Sequence, residues 1–295
     1  MNSSDFLSLL DQKQTLVLDG ATGTNLQKRG LPIGTAPETW LFDNPAGISQ
    51  LYSDFVQAGS DIILTCTFGG NRTRLAHANL TDKIVEVNQT AVVLAKEVIQ
   101  DKDVLIAGSL GPTGEMMQPF GSMSEAQVLD IYAEQAKILL DSNVDLLVIE
   151  TQFDLNEAQA AVRAVRSMDT EIALVCSFSF DRGVRTMMGV KPVQVAEIFN
   201  DLPVDAIGIN CGKSLEDNLA VLKTLKENTT KPIWFKPNAG LPTSNVDGST
   251  SYDVTPEKMG NQAKLWIAEG ARLVGGCCGT SPEHLAAIAK SARAN

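Results

Sequence analysis

Asp145-Leu146-Leu147-Val148-Ile149-Glu150-Thr151 is a short apolar run that ends on an acid. Its Leu, Val and Ile follow one another without polar alternation, the pattern of a strand covered on both faces. Seven similar runs occur along the chain, giving candidate strands at 15–18, 61–65, 104–108, 145–150, 172–178, 206–211, 232–236 and 272–276. Between them lie stretches of helical period. Ile84, Val87, Ala91, Leu94 and Val98 step by three and four, as do Val128, Tyr132, Ala136 and the pair Leu139 and Leu140. Start signals agree: Ser124 with Gln127 forms a capping-box pair, and Thr255-Pro256 and Ser281-Pro282 place a cap residue before a first-turn proline.

Eight strands, each followed by a helix, in a chain of 295 residues predict an α/β fold of the (β/α)8 TIM-barrel type. A doubly wound open sheet is the competing architecture. No proline- or serine-rich linker divides the chain, so residues 1–295 read as one domain. The connections 30–46, 111–123 and 238–254 are long, and long loops in a compact domain are usually functional or disordered. All three are expected on the face where barrel enzymes keep their active sites.

The chain carries 24 Lys and Arg against 35 Asp and Glu, a formal charge of −11, with 44% hydrophobic residues. That balance supports a large core and excludes wholesale disorder. An acidic surface argues against nucleic acid and anionic membranes as partners. The apolar runs are only a few residues long, as at 146–149, where a bilayer span needs about 20. Met1-Asn2-Ser3-Ser4-Asp5 shows no basic region before an apolar one, so no secretory signal is expected. Five cysteines, two of them adjacent, point to a reducing, cytoplasmic setting and to metal or thiol chemistry rather than disulfides.

The distinctive residues stand where strands end. Asp19-Gly20-Ala21-Thr22-Gly23, Thr65-Cys66-Thr67-Phe68, Glu150-Thr151, Asn210-Cys211-Gly212, Pro237-Asn238-Ala239-Gly240 and Gly275-Gly276-Cys277-Cys278-Gly279 each follow a candidate strand. In a barrel these ends meet at one mouth, with Cys211 and the 277–278 pair separated by one strand. Three converging thiols without a nearby histidine fit a thiolate zinc site, since His77 and His284 lie away from strand ends. Gly275, Gly276 and Gly279 are expected to let the backbone turn so that both cysteines face one ion. The competing reading is a tight turn with two small buried hydrophobes.

Taken in order, the pieces Leu18-Asp19-Gly20-Ala21-Thr22-Gly23-Thr24, Thr67-Phe68-Gly69, Gly111-Pro112-Thr113-Gly114, Glu150-Thr151, Gly208-Ile209-Asn210-Cys211, Pro237-Asn238-Ala239-Gly240 and Gly275-Gly276-Cys277-Cys278-Gly279-Thr280 resemble the homocysteine S-methyltransferase family. The likeness is strongest to the homocysteine-binding domain of its cobalamin-dependent methionine synthase branch. The resemblance implies a barrel holding Zn2+ on Cys211, Cys277 and Cys278, with Asn238 offering an oxygen to zinc when substrate is absent. It implies that Asp19 and Glu150 receive the amino group of L-homocysteine, and that backbone N–H groups of Gly20, Ala21 and Thr22 hold its carboxylate. Each acid has a competing reading as a buried turn or network residue. Cys66 departs from the family's usual Asn and reads as an isosteric filler, or as a fourth thiol near the pocket. Cys176 reads as core.

A free thiol with a pKa of ~8.5 is mostly protonated at neutral pH, and coordination to zinc removes that proton. Three cysteinates outweigh a divalent ion in charge, so a bound homocysteine thiolate keeps its nucleophilicity and attacks an electrophilic methyl group, giving methionine. The catalytic group is then the zinc-activated substrate thiolate itself. The family's donors are methylcobalamin, S-methylmethionine, S-adenosylmethionine and betaine. Gly-Pro-Thr-Gly and Pro-Asn-Ala-Gly-Leu-Pro favour methylcobalamin, and the chain has no room for a corrinoid module. A separate methylated corrinoid protein is therefore the expected partner, docking on the long loops after strands 1, 3 and 7. Two other classes compete: a barrel lyase or hydrolase using Asp19 and Glu150 as acid and base, and a non-catalytic zinc or thiol-binding protein.

Overall fold

The computed structural model describes residues 1–246 and 248–294. Eight strands form one parallel sheet: β1 (Leu16–Val17), β2 (Ile62–Leu64), β3 (Leu105–Leu110), β4 (Leu146–Gln152), β5 (Ala173–Phe178), β6 (Ala206–Cys211), β7 (Ile233–Pro237) and β8 (Ala271–Val274). Their order is β1-β8-β7-β6-β5-β4-β3-β2, and a parallel bridge between Leu18 and Ile62 joins the two ends into a ring. Helices lie outside it. The architecture is the (β/α)8 barrel, and the open sheet is excluded. All eight expected strands are present, with no end moved by more than two residues and β6 where it was expected.

Strand alternation sorts the side chains into two cores. Outward residues such as Val17, Ile63, Leu147, Ile149, Cys176 and Phe235 pack under the helices. Inward residues, including Leu16, Leu18, Ile62, Leu64, Ala107, Val148, Val175, Ala206, Trp234 and Leu273, fill the barrel. Cys176 is therefore core, as expected. The helix Ser3–Lys13, which the sequence reading left without a role, closes the N-terminal end of the ring. It inserts Phe6 and Leu10 among the inward residues, and Asn2 pairs with Ile172. Phe6, Leu7, Leu9 and Leu10 stand too close together to mark one face clearly, so the sequence did not announce that docking.

The outer helices follow the expected periods. Val87 and Ala91 are buried in the helix Ile84–Ile99, while Ile84, Leu94 and Val98 pack against the core from its edge. Ser124 and Gln127 cap the helix Glu125–Asp141 reciprocally. The long connections gather at the C-terminal ends of the strands. The segment 30–46 contains the short helix Trp40–Asp43, and 238–254 carries a ribbon pairing Thr243–Ser244 with Thr250–Ser251. Asp247, inside that last segment, lies outside the described residues. Among the described residues no helix is long and apolar enough to cross a membrane.

Trp234 is the largest side chain in the barrel interior, and Gly208 on the neighbouring strand makes room for it. A Cβ at Gly208 would stand 1.9 Å from the Trp234 carbonyl oxygen and 2.8 Å from its Cβ. Backbone cannot yield as a flexible side chain does, so Gly208→Ala should destabilise the barrel by roughly 3 kcal/mol, the upper range of overpacking costs. Urea unfolding followed by tryptophan fluorescence measures this; an unchanged midpoint would contradict the packing described.

Candidate metal and thiol site

Continuing the inward alternation by one step turns the barrel interior from apolar to polar. Ala107 gives way to Ser109, Val148 to Glu150, Val175 to Ser177, and Trp234 to Lys236, while Asn210 ends the inward series on β6. These side chains bond to one another or to their neighbours. Ser109 Oγ donates to Glu150 Oε1 at 2.5 Å, and Ser177 Oγ donates to Asn210 Oδ1 at 2.7 Å. Ser109, Glu150 and Lys236 line a cavity of about 910 Å³ that opens at the mouth and also has Cys211, Cys277 and Cys278 in its walls.

The Sγ atoms of Cys211, Cys277 and Cys278 lie within 4.8 Å of one another. β7 brings them together by running on past its end. The Cys277 N–H donates to Pro237 O at 2.8 Å, the Asn238 N–H to Cys211 O at 3.1 Å, and the Ala239 N–H to Cys278 O at 2.9 Å. The turn itself differs from expectation. Gly275 and Gly276 have ordinary φ values and are required for space: a Cβ would stand 2.6 Å from Leu18 Cβ and 2.4 Å from Thr280 Cγ2 respectively. Of the three glycines only Gly279 takes the expected positive φ (82°), and Cys211 (58°) and Gly212 (78°) share it on the other side.

The protonation pattern fits a cation site. Hydrogen bonds from Cys211 and Cys277 hold the Cys278 thiol well below its usual range. The same sharing, with burial, holds Cys211 well above it. One sulfur of the trio ionises readily, then, and full ionisation needs a positive partner. Beside them, Asn238 donates its Nδ2 to Gly212 O at 2.9 Å, while its Oδ1 is buried without a hydrogen-bond partner. Three soft sulfurs and one unengaged oxygen suit Zn2+, which favours thiolates and tetrahedral coordination.

Asn210 ties this trio to β4. Its Oδ1 accepts from the Thr151 N–H at 2.8 Å, and its Nδ2 donates to Thr151 Oγ1 at 2.6 Å, with Cys211 Sγ at 3.5 Å. Thr151 has φ +60°, a strained value for a β-branched residue, and Asn210 holds it there. Glu150 precedes it, 7% exposed. Burial pushes the Glu150 carboxyl up to about 7, against the pull of Lys236 and with a smaller push from Cys277.

Asp19 is engaged on both oxygens. Lys236 Nζ donates to Oδ1 at 2.5 Å, and the Leu64 N–H donates to Oδ2 at 2.8 Å. Burial works against the Lys236 ammonium, yet Asp19 and Glu150 outweigh it and hold the proton more firmly than in an ordinary lysine. Lys236 lines the cavity, whereas Asp19 does not. The sequence reading missed Lys236, and the signal was there: it stands two residues after Trp234, at the polar end of an inward-facing row. Gly20, Ala21 and Thr22 also border the cavity. The Ala21 N–H is already bonded to Thr280 Oγ1 at 3.1 Å, and Thr22 opens the helix Thr22–Lys28.

The remaining candidates stand apart. Cys66 borders the cavity outside the trio, its N–H donated to Tyr52 Oη at 2.7 Å and its thiol held up by burial. His284 is a capping residue, its Nδ1 accepting from the Ser281 N–H, and His77 lies on the cavity's rim.

The family described as homocysteine S-methyltransferase matches residues 16–292. Methionine synthase of Mycobacterium tuberculosis is 30% identical over 302 residues, covering 97% of this chain and 25% of that protein. The chain thus spans about a quarter of the length of that relative. Homocysteine S-methyltransferase YbgG of Bacillus subtilis is 28% identical over 308 residues, covering 97% of this chain and 96% of YbgG. The metallated form of homocysteine methyltransferase MmuM from Escherichia coli superposes with a TM-score of 0.81 at 26% identity, over 96% of this chain and 98% of MmuM.

The raised Glu150 carboxyl carries a stability signature. The native state holds a proton that the unfolded chain releases near 4.5, so folding stability falls as pH rises from there to about 7. Glu150→Gln removes that loss. The ligand-free variant should be more stable than the parent at pH 8 by roughly 3 kcal/mol, with the difference vanishing below about pH 4. Denaturant titrations at the two pH values test this, and equal stabilities at pH 8 would refute it.

Proposed function

Because the chain belongs to the homocysteine S-methyltransferase family, we propose that it catalyses zinc-dependent transfer of a methyl group to the thiol of L-homocysteine, giving methionine. The observation that carries the reading is the three-sulfur cluster in the wall of a cavity that also holds a buried carboxyl. Cys211, Cys277 and Cys278 hold the ion, and Asn238 Oδ1 faces the same role when substrate is absent. When bound, zinc keeps the substrate sulfur deprotonated and nucleophilic. Glu150 accepts the substrate ammonium on the side not taken by Ser109. Asp19 contributes through Lys236, and the N–H groups of Gly20 and Thr22 are left for the substrate carboxylate, that of Ala21 being bonded to Thr280. Asn210 fixes Cys211 and Thr151 together, so the sulfur and amine ends of the substrate are positioned by one side chain.

A methylated corrinoid protein is the donor we assign, delivered to the barrel mouth. In support, each of the three long loops exposes an apolar side chain there: Ile33 (56%), Phe120 (73%) and Leu241 (45%). A second reading, a small methylated donor such as S-methylmethionine, is favoured by the nearly complete coverage of YbgG and MmuM.

A screen of zinc-loaded protein with homocysteine separates the two. Demethylation of a methylated corrinoid protein or of methylcobalamin is expected; consumption of S-methylmethionine or betaine alone would reject the corrinoid assignment. Cys278→Ala should lose zinc at least a hundredfold more readily than the parent while keeping its circular dichroism spectrum, because the residue lies on the rim rather than in either core. Zinc content by atomic absorption after dialysis decides this, and full metal retention would remove Cys278 from the ligand set.

A further inference from the structure

Among the described residues, Lys236 is the only lysine or arginine buried in the barrel, at 4% exposure. It stands between Asp19 and the cavity, with Nζ 2.5 Å from Asp19 Oδ1, and the Leu64 N–H takes the other Asp19 oxygen. The pocket therefore contains its own ammonium group, paired with one of the two acids that flank the substrate region. Glu150, the other acid, is satisfied on one oxygen by Ser109.

We propose that Lys236 stands in for the substrate's ammonium at Asp19, so that the site binds short ω-mercaptocarboxylates, thiols with a carboxylate and no α-amino group, alongside homocysteine. The proposal rests on the homocysteine reading above. A buried site rejects a ligand that lacks a polar group when the loss strands a charge, and such rejection reaches about 10⁴-fold or more. Here a thiol without an ammonium strands nothing at Asp19, which keeps Lys236. Glu150 can carry its own proton, as its raised carboxyl pKa allows. Discrimination is then set by one hydrogen bond at Glu150 rather than by two unpaired carboxylates.

The test is calorimetric titration of zinc-loaded protein with L-homocysteine and with 4-mercaptobutanoate. The parent should bind the two with dissociation constants within about 100-fold of each other, the scale of one charge-assisted contact at Glu150. Lys236→Met leaves Asp19 dependent on the ligand for a cation, and should widen the parent's ratio by about tenfold or more. The double variant Lys236→Met/Asp19→Asn removes both charges and should bring the ratio back towards the parent's. A parent ratio of about 10³ or more overturns the proposal, as does a ratio unchanged in Lys236→Met. The parent measurement needs no variant, so it decides the matter even if Lys236→Met fails to fold. Failure of homocysteine itself to bind would overturn the methyl-transfer reading and this proposal with it. Tight homocysteine binding with 4-mercaptobutanoate excluded would overturn the role of Lys236 alone.

Discussion

Three backbone hydrogen bonds, made by Pro237, Asn238 and Ala239 to Cys277, Cys211 and Cys278, hold the site together. They extend the pairing of β7 beyond the regular sheet and fix two cysteine segments on either side of it. Side chains on β6 and after β8 have no other reason to meet, since one strand separates them in the ring. Once the main chain is held this way, the sulfurs crowd within a few ångströms. Their mutual repulsion, if all were ionised, makes a cation the natural partner. The glycines serve the same end by steric means: Gly275 and Gly276 leave room for Leu18 and Thr280, and the left-handed turn falls on Cys211 and Gly212.

The polar floor of the cavity carries a cost to stability. Glu150 and Lys236 are buried where inward-facing leucines and valines would otherwise continue the interior layers, and Asp19 is buried against Lys236. An apolar replacement at such positions is often neutral or stabilising. The arrangement is nevertheless economical in unpaired groups. Ser109 serves Glu150, Leu64 and Lys236 serve Asp19, and Asn210 serves Thr151 and Ser177 at once. Thr151, held at positive φ, is the one strained backbone position beside Glu150, and Asn210 bonds to both its N–H and its hydroxyl.

Much of this was legible before any coordinates. Uninterrupted apolar runs betray strands covered on both faces, and the capping residues at Ser124 and Thr255 mark where helices begin. The cysteine trio was readable because its residues fall at strand ends, where a barrel gathers them. Three things were not. Strand ends shift by up to two residues, because pairing in the ring depends on stagger between neighbours. The helix Ser3–Lys13 buries Phe6 and Leu10 and packs Leu9 beside them but exposes Leu7, a pattern that does not distinguish a plug from a surface helix. The Lys236–Asp19 pair joins residues 217 positions apart, and neither residue alone indicates its partner. Asp19 read in isolation looks like an open acceptor; its partner makes it a closed one.

The plug at the N-terminal end has a kinetic corollary. Phe6, Leu10 and Trp234 seal one end of the barrel, which makes the cavity a blind alley with a single doorway. Whatever enters such an alley must leave by the way it came. A second molecule seated over the first therefore bars its exit until it has itself withdrawn.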